Sequence, residues 1–393
     1  MNSTTRGIFG TFFAKMMVSL SGLLLVVLTS RYLGAEGRGT ISLMMSLIAL
    51  LQLFCDFGSN SAIINLSYQV NQRDLWLSSL LWVLGICLIS YLPIFFFPDI
   101  RFIFLVPAAA FLYSFINVNS LLMMGNRMVL QRNMILISSP VLLLVFFAVL
   151  FFNTPFGMAS YPVALFMALL VSSVASYLIL KAKLYGRQPF SFQTLVLRQG
   201  AWVQGGQALQ FLNYRINFFI VAAYMGEASL GIYNNAVIIS ESIWMLGHSM
   251  GQMQHMKILN TADENSHIKL TNSFIVINFV GSVILMITVV CIPAAFWEWL
   301  FSKDFTGMKS LFTFLAPGVI FFSVSNIINH FLHAKNNFKA IFAANLSGLV
   351  TGLLIAVFAI PGLGLQGACL SWSGGLAASM LVYLFTYKSY LKK

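Results

Sequence analysis

The sequence predicts an all-α polytopic membrane protein of about twelve transmembrane helices, arranged as two six-helix lobes that repeat in parallel around a central cavity. Three observations carry this. Of 393 residues, 59% are hydrophobic and 8% charged, where a soluble domain carries about 25% charged residues. Apolar runs of about 20 residues, long enough to cross a bilayer, recur along the chain with short polar gaps. A glycine motif at the end of the first run returns 192 residues later, close to half the chain length.

Taken in order, the runs predict spans over 8–30, 40–63, 76–97, 102–124, 134–153, 158–180, 200–224, 229–252, 271–296, 310–332, 338–360 and 364–387. The first ends in Arg31-Tyr32-Leu33-Gly34 without a small-residue cleavage site, so it reads as a span and not as a cleavable signal peptide. An even number of spans places both termini on one side. With the termini inside, 15 of the 22 Lys and Arg residues fall in inside segments and 5 (Arg31, Arg38, Arg101, Lys303, Lys309) in outside loops, which predicts cytoplasmic termini. The basic stretch KAKLYGRQPFSFQTLVLR, 181–198, divides a lobe at 1–180 from one at 199–393 and suits a cytoplasmic linker lying on the membrane surface. Pro107, Pro140, Pro162, Pro293 and Pro317 lie in or near spans, where they can kink a helix or simply pack.

The net charge of +12 sits at helix ends and is not interleaved with aromatics, so it points to topology and lipid headgroups and not to nucleic acid. Cys55, Cys87, Cys291 and Cys369 lie in apolar runs without metal-ligand spacing and read as small core residues. The sequence carries no phosphate-cradling GxxxxGK[ST] loop, no HExxH and no nucleophile elbow, which excludes ATP-driven pumping by this chain and any familiar catalytic constellation. No cofactor and no metal are expected.

The repeat aligns RYLGAEGRGTI at 31–41 with AYMGEASLGIY at 223–233, pairing Gly34 with Gly226 and Gly39 with Gly231. The same offset carries Asp56 onto His248, both ionisable residues of apolar runs. Six spans separate equivalent positions, so the repeats share one orientation and would enclose a cleft.

The polar groups concentrate in spans seven and eight. Gln204, Gln207, Gln210, Tyr214, Arg215 and Asn217 fall within a sector of about 160° on a helix, while Asn234, Glu241 and His248 recur every seventh residue, with Gln252 four further on. Ionisable groups at membrane depth face a bundle interior or a wet cavity, so these seams are the candidate site. Lys15 in span one and Arg215 in span seven are the two cations within spans, and together they suit an anion such as a diphosphate. Lys15 near a helix end can also snorkel to the interface. Asp56 and Glu241 fit two roles: partners that neutralise the buried cations, or a coupling site that takes H⁺ or Na⁺; His248, one heptad from Glu241, fits that coupling site or a satisfied core histidine. His330 and His333 close span ten and suit an interface.

At RYLGAEGRGTISLMMSLIALLQLFCDFGSNSAII and AYMGEASLGIYNNAVIISES the chain resembles the bacterial polysaccharide flippases (Wzx-type O-antigen translocases) of the multidrug/oligosaccharidyl-lipid/polysaccharide (MOP) exporter superfamily. The resemblance implies a MATE-like fold in the bacterial inner membrane, a cationic cavity, and alternating-access transport of an undecaprenyl-diphosphate-linked oligosaccharide. In that setting Lys15 and Arg215 would hold the diphosphate or acidic sugars, and Gln204, Gln207, Asn217, Asn234, Asn235 and Gln252 would hydrogen-bond sugar hydroxyls. Its implied partners are membrane lipids, an H⁺ or Na⁺ counter-ion and the glycan polymerase and chain-length proteins of the same pathway. Two rivals stay open: a drug/cation antiporter of the same superfamily, which predicts an acid-dominated cavity, and a membrane polymerase or ligase, which predicts a large outer loop with catalytic Arg and His.

Overall fold

The structure, a computed structural model, describes residues 3–58, 62–184, 190–261 and 263–391, without the side chains of 3–15, 62, 65, 197–204 and 206. Its helices, in chain order, are α1 (Ser3–Cys55), α2 (Ala62–Leu66), α3 (Gln72–Ile89), α4 (Tyr91–Ile94), α5 (Val106–Gly125), α6 (Val129–Asn153) and α7 (Ser160–Leu180), then α8 (Thr194–Ser242), α9 (Trp244–Leu259), α10 (Glu264–Cys291), α11 (Ala294–Phe301), α12 (Met308–Ala334), α13 (Phe338–Leu363) and α14 (Leu365–Leu391). Among the described residues ten helical stretches are long and apolar enough to cross a membrane. Two of them, Met16–Cys55 and Gln207–Ser242, are doubles of 40 and 36 residues.

Each double is broken at one glycine. Gly34 has φ 69° and ψ −172° inside α1, and Gly226 has φ 79° and ψ 177° inside α8. Only glycine enters this backbone region without strain, so the sequence motif marks a sharp break between membrane-length arms. Counting both arms of each double gives the twelve spans expected, and the two breaks stand at equivalent positions of the 192-residue repeat.

Termini of other helices follow from capping. Asn71 accepts from the Arg73 amide (3.0 Å), Asp263 from the Asn265 amide (3.0 Å) and Asn337 from the Ala340 amide (3.3 Å), which starts α3, α10 and α13. Pro107 and Pro162 sit in first turns and Pro293 immediately precedes α11, where a missing amide costs little. Of the prolines singled out above, only Pro140 and Pro317 interrupt helix interiors.

The chain forms two compact units, one of Met1–Leu33 and Met44–Gln204, the other of Gly34–Leu43 and Gly205–Lys393. The start of α8 therefore belongs to the first unit, and the ten residues after the first glycine break belong to the second. In the first unit α5 and α7 supply the most buried surface, with Ala109, Ala110, Val118, Leu122, Ala164, Leu165 and Ala168 at most 1% exposed. Small residues there let helices approach closely, which replaces the hydrophobic drive that lipid does not provide. In the second unit Gly348 and Gly375 bring α13 and α14 within van der Waals reach of each other and of Asn213. Large apolar side chains such as Phe385, 81% exposed, and Phe358, 80% exposed, cover the outside, as a lipid-facing surface requires.

Cys55, Cys87 and Cys369 are buried, whereas Cys291 is exposed at the end of α10 and is not a core residue. Arg31 and Arg38 lie within α1 and not in a loop, and Arg38 is 6% exposed.

Candidate functional site

The second unit places Arg215, on the arm of α8 before Gly226, against Glu241 on the arm after it. Both guanidinium terminal nitrogens donate to the carboxylate, at 3.0 and 2.8 Å. The side chains are 27% and 15% exposed. Above the face of Phe218 the guanidinium carbon stands 4.8 Å from the ring centre. Gly226 makes this pairing possible, because a break between the arms lets residues 26 apart in sequence fold back on one another.

Of the two roles foreseen for Glu241, the geometry places it as the partner of Arg215. A bidentate fork is the arrangement that a phosphate can replace, since phosphate offers the same pair of oxygens.

The rest of the span-seven seam divides. Asn217 is 2% exposed; its amide donates to the Ala368 carbonyl (3.3 Å) and its oxygen accepts from Ser371 (3.0 Å). Asn213 donates to Ser379 (3.2 Å). Both residues bind the arm to α14, and Asn217, expected to meet sugar hydroxyls, is buried against that helix. The reason is angular: Asn213 and Asn217 lie one turn apart at one edge of the polar sector, while Arg215 lies at the other edge, about 160° away. Gln210 donates to the Tyr214 hydroxyl (2.9 Å), and Gln207 is exposed.

A cavity of about 10 Å³ among Asn213, Asn326, Asn329, Asn345 and Tyr383 has room for one water and none for a sugar ring.

Span eight departs from its seven-residue seam. Asn234 and Asn235 are 5% and 0% exposed, packed inside the unit. Asn235 accepts from Arg38 Nε (3.0 Å). The helix then tightens at Ile243, which keeps helical angles (φ −63°, ψ −29°) while amides bond three residues back in place of four (Ile243 to Ser240, 3.3 Å; Leu246 to Ile243, 3.4 Å). The tightened turn coincides with Trp244 entering a stack, 3.8 Å from Phe322 and 5.4 Å from Trp372 between ring centres. It falls between Glu241 and His248.

His248 is exposed on α9, its ring 5.7 Å from Phe322. Gln252 lines, with His255, Met256, His330 and His333, a concavity of about 470 Å³. Gly247 and Gly251 set this up: a Cβ on Gly251 would meet the His330 ring at 2.1 Å, so the glycine pair seats α9 against α12. His255 escaped the sequence reading, and the Gly247-x-x-x-Gly251 spacing was the signal that could have found it. Among the described residues no three His, Cys, Asp or Glu side chains are grouped as a metal site.

Asp56 lies in the first unit, just past the end of α1, and accepts from Asn117 (3.3 Å). Gln204 and Lys15 have side chains outside the described residues.

One further site was missed. Gly39 and Gly231, aligned by the repeat, pack the second arms of α1 and α8 together: a Cβ on Gly39 would stand 1.7 Å from the Glu227 carbonyl, and one on Gly231 would stand 2.1 Å from the Ala35 carbonyl. Ala35 and Glu227 are themselves equivalent at the 192-residue offset. The crossing is therefore reciprocal. Thr40 donates to the Glu227 carboxylate beside it.

Residues 4–253 match the family model described as polysaccharide biosynthesis protein. The chain belongs to that family. The match covers nearly all of the first unit and, in the second, residues 34–43 and the chain from 205 to 253 with the Arg215–Glu241 pair. No curated protein sequence matches the chain. Among solved structures the chain is similar to the lipid II flippase MurJ in an inward closed conformation (TM-score 0.80, 16% identity, covering 97% of this chain and 89% of that one). It is also similar to an inward-facing multidrug resistance MATE family transporter of the MOP superfamily (TM-score 0.75, 15% identity, 98% of each chain). A mutant form of the Vibrio cholerae MATE transporter VcmN matches with TM-score 0.65 and 13% identity over 100% of this chain and 98% of that one. At these identities the likeness establishes the fold. The MATE-like polytopic fold and the polysaccharide branch both stand as the glycine motifs implied.

Proposed function

We propose that this multi-pass membrane protein is a flippase that carries a polyprenyl-diphosphate-linked oligosaccharide, an O-antigen or related surface polysaccharide repeat unit, across the inner membrane by alternating access. The observation that carries the reading is the Arg215–Glu241 fork: a partly exposed arginine deep in a membrane helix whose anionic partner a diphosphate can replace. The polysaccharide family match supports the glycan, and the MurJ and MATE likenesses support a moving two-unit transporter. In this cycle the lipid diphosphate displaces Glu241 from Arg215; the carboxylate takes up H⁺ or Na⁺ as the cations release the substrate outside, and its loss of that ion inside restores the fork. Lys15 adds a second cation to the anion path, Gln204, Gln207 and Gln252 contact sugar hydroxyls, and Asp56 and His248 take part in ion coupling. Membrane lipids surround the chain, and the polymerase and chain-length proteins of the same glycan receive its product.

The test is complementation of a flippase-null strain by wild type, Arg215→Ala, Glu241→Gln and the double Arg215→Ala/Glu241→Ala, scoring surface glycan against membrane protein level. Loss of surface glycan per protein molecule is the expected result in Arg215→Ala, whose abundance falls with its unpaired charge, and in the double variant, which keeps more of its stability. Full activity of the double variant, from which both charges are gone, would reduce the pair to a structural one and sink the reading.

A further inference from the structure

In the first unit the start of α3 and the end of α7 enclose a concavity of about 590 Å³ lined by Arg73, Trp76, Leu77, Tyr177, Lys181 and Leu184, with Ala182 at its rim. We propose that it binds the phosphate headgroup of an anionic membrane lipid.

The placement argues for headgroup depth. Arg73 is the second residue of α3 and Lys181 follows the last residue of α7, so both cations stand where membrane-length helices end. Both cations line the concavity and, among the described residues, no carboxylate does; the neighbouring acid Asp74 is 5% exposed and lies outside it. Arginine's fork and lysine's point charge suit phosphate oxygens. Basic pockets between helix ends at the membrane surface are the usual seats of anionic headgroups.

The aromatic wall is built and not incidental. The Trp76 indole N–H donates to Asn119 Oδ1 (2.8 Å), and Asn119, fully buried, donates in turn to Ser176 (2.9 Å), the residue before Tyr177. This chain holds the polar edge of the indole toward the interior. The indole ring and Tyr177 then lie 6.0 Å apart between centres and 31° from parallel, and the edge of Phe115 supports Trp76 from another side at 6.0 Å. Leu184, 9% exposed, adds apolar surface. A rigid apolar wall beside two cations matches a glycerophosphate with the first carbons of its acyl chains, which a soluble anion would leave uncovered. The inference does not depend on which substrate the protein transports.

Native mass spectrometry of the full chain in detergent, with phosphatidylglycerol and phosphatidylcholine of matched acyl chains, tests this directly. Wild type is expected to retain phosphatidylglycerol in preference. Arg73→Gln/Lys181→Gln is expected to lower those adducts roughly 25-fold, from two cations near an anionic group, with phosphatidylcholine adducts unchanged. The charge-keeping exchange Arg73→Lys/Lys181→Arg should preserve the preference, and inorganic pyrophosphate should not displace the lipid. Equal retention of the two lipids by wild type, unchanged adducts in the glutamine variant, or displacement by pyrophosphate would each overturn the proposal. A readout independent of the glutamine variant's folding is indole quenching by brominated phosphatidylglycerol in excess of brominated phosphatidylcholine. Trp76→Phe should remove that excess, and its persistence would place the lipid elsewhere.

Discussion

Substituting Gly39 or Gly231 by alanine should separate the second arms of α1 and α8. The Cβ of Gly39→Ala would begin 1.7 Å from the Glu227 carbonyl oxygen and that of Gly231→Ala 2.1 Å from the Ala35 carbonyl oxygen, while real Cβ contacts stay above 3.0 Å. The helices must part by about 1.3 Å in the first case and about 0.9 Å in the second if neither bends. Both obstacles are backbone, so no side chain can rotate away. Overpacking of this kind costs about 1–3 kcal/mol, and parting the arms also stretches the Arg38–Asn235 bond of 3.0 Å. With about 2 kcal/mol lost, a unit of this size should melt roughly 4–8 °C lower. Thermal unfolding of the purified protein in detergent would measure it, with Gly22→Ala as control, because a Cβ there meets nothing within 4 Å. Melting of Gly39→Ala and Gly231→Ala together with that control would refute the close crossing.

Four other outcomes follow from the geometry. Gly226→Ala meets no obstacle and reports backbone strain alone, about 1–3 kcal/mol, whereas Gly34→Ala adds a contact with Asp304 Oδ2 at 2.6 Å and should melt at or below it in the same assay. Asn217→Ala removes both bonds to α14 and should cost about 2–3 kcal/mol, lowering protein abundance while surface glycan per molecule stays constant. Glu241→Gln or Arg215→Ala alone should destabilise more than the double Arg215→Ala/Glu241→Ala, because each leaves one charge unpaired, a penalty of about 3 kcal/mol in buried pairs; a double-mutant cycle on melting checks the sign. Lys335 and Glu264 pair at 2.6 Å, but Glu264 is 67% exposed, so Glu264→Gln should shift stability by less than about 1 kcal/mol.

The spans were legible because their signal is a single quantity, the length of an apolar run, which the bilayer fixes. The glycine breaks were legible for a different reason: Gly34 and Gly226 are required by backbone conformation, and the repeat displayed that requirement twice. What periodicity could not resolve was which edge of a polar sector packs and which stays accessible. Asn217 and Arg215 share one seam by angle, yet α14 covers the first and leaves the second partly open, a distinction that belongs to the neighbouring helix. The heptad spacing from Asn234 through Glu241 to His248 assumed a regular helix. The tightened turn at Ile243 has no Gly or Pro to announce it and coincides with Trp244 stacking on Phe322 and Trp372, partners far along the chain. Arg38 misled for a related reason. A charge next to two glycines reads as a loop residue, and its acceptor, Asn235, lies 197 positions away.

The crossing of Gly39 on Glu227 and Gly231 on Ala35 has the form of a two-fold interface between identical subunits, in which residue i touches j and j touches i. Such self-complementarity is what two copies of one half would make on meeting, before any linker joined them. In a chain with two copies of the motif, each glycine is answerable to the other copy and not to its own helix. A side chain gained at either position meets backbone of the other arm and cannot be accommodated by a rotamer change in its own.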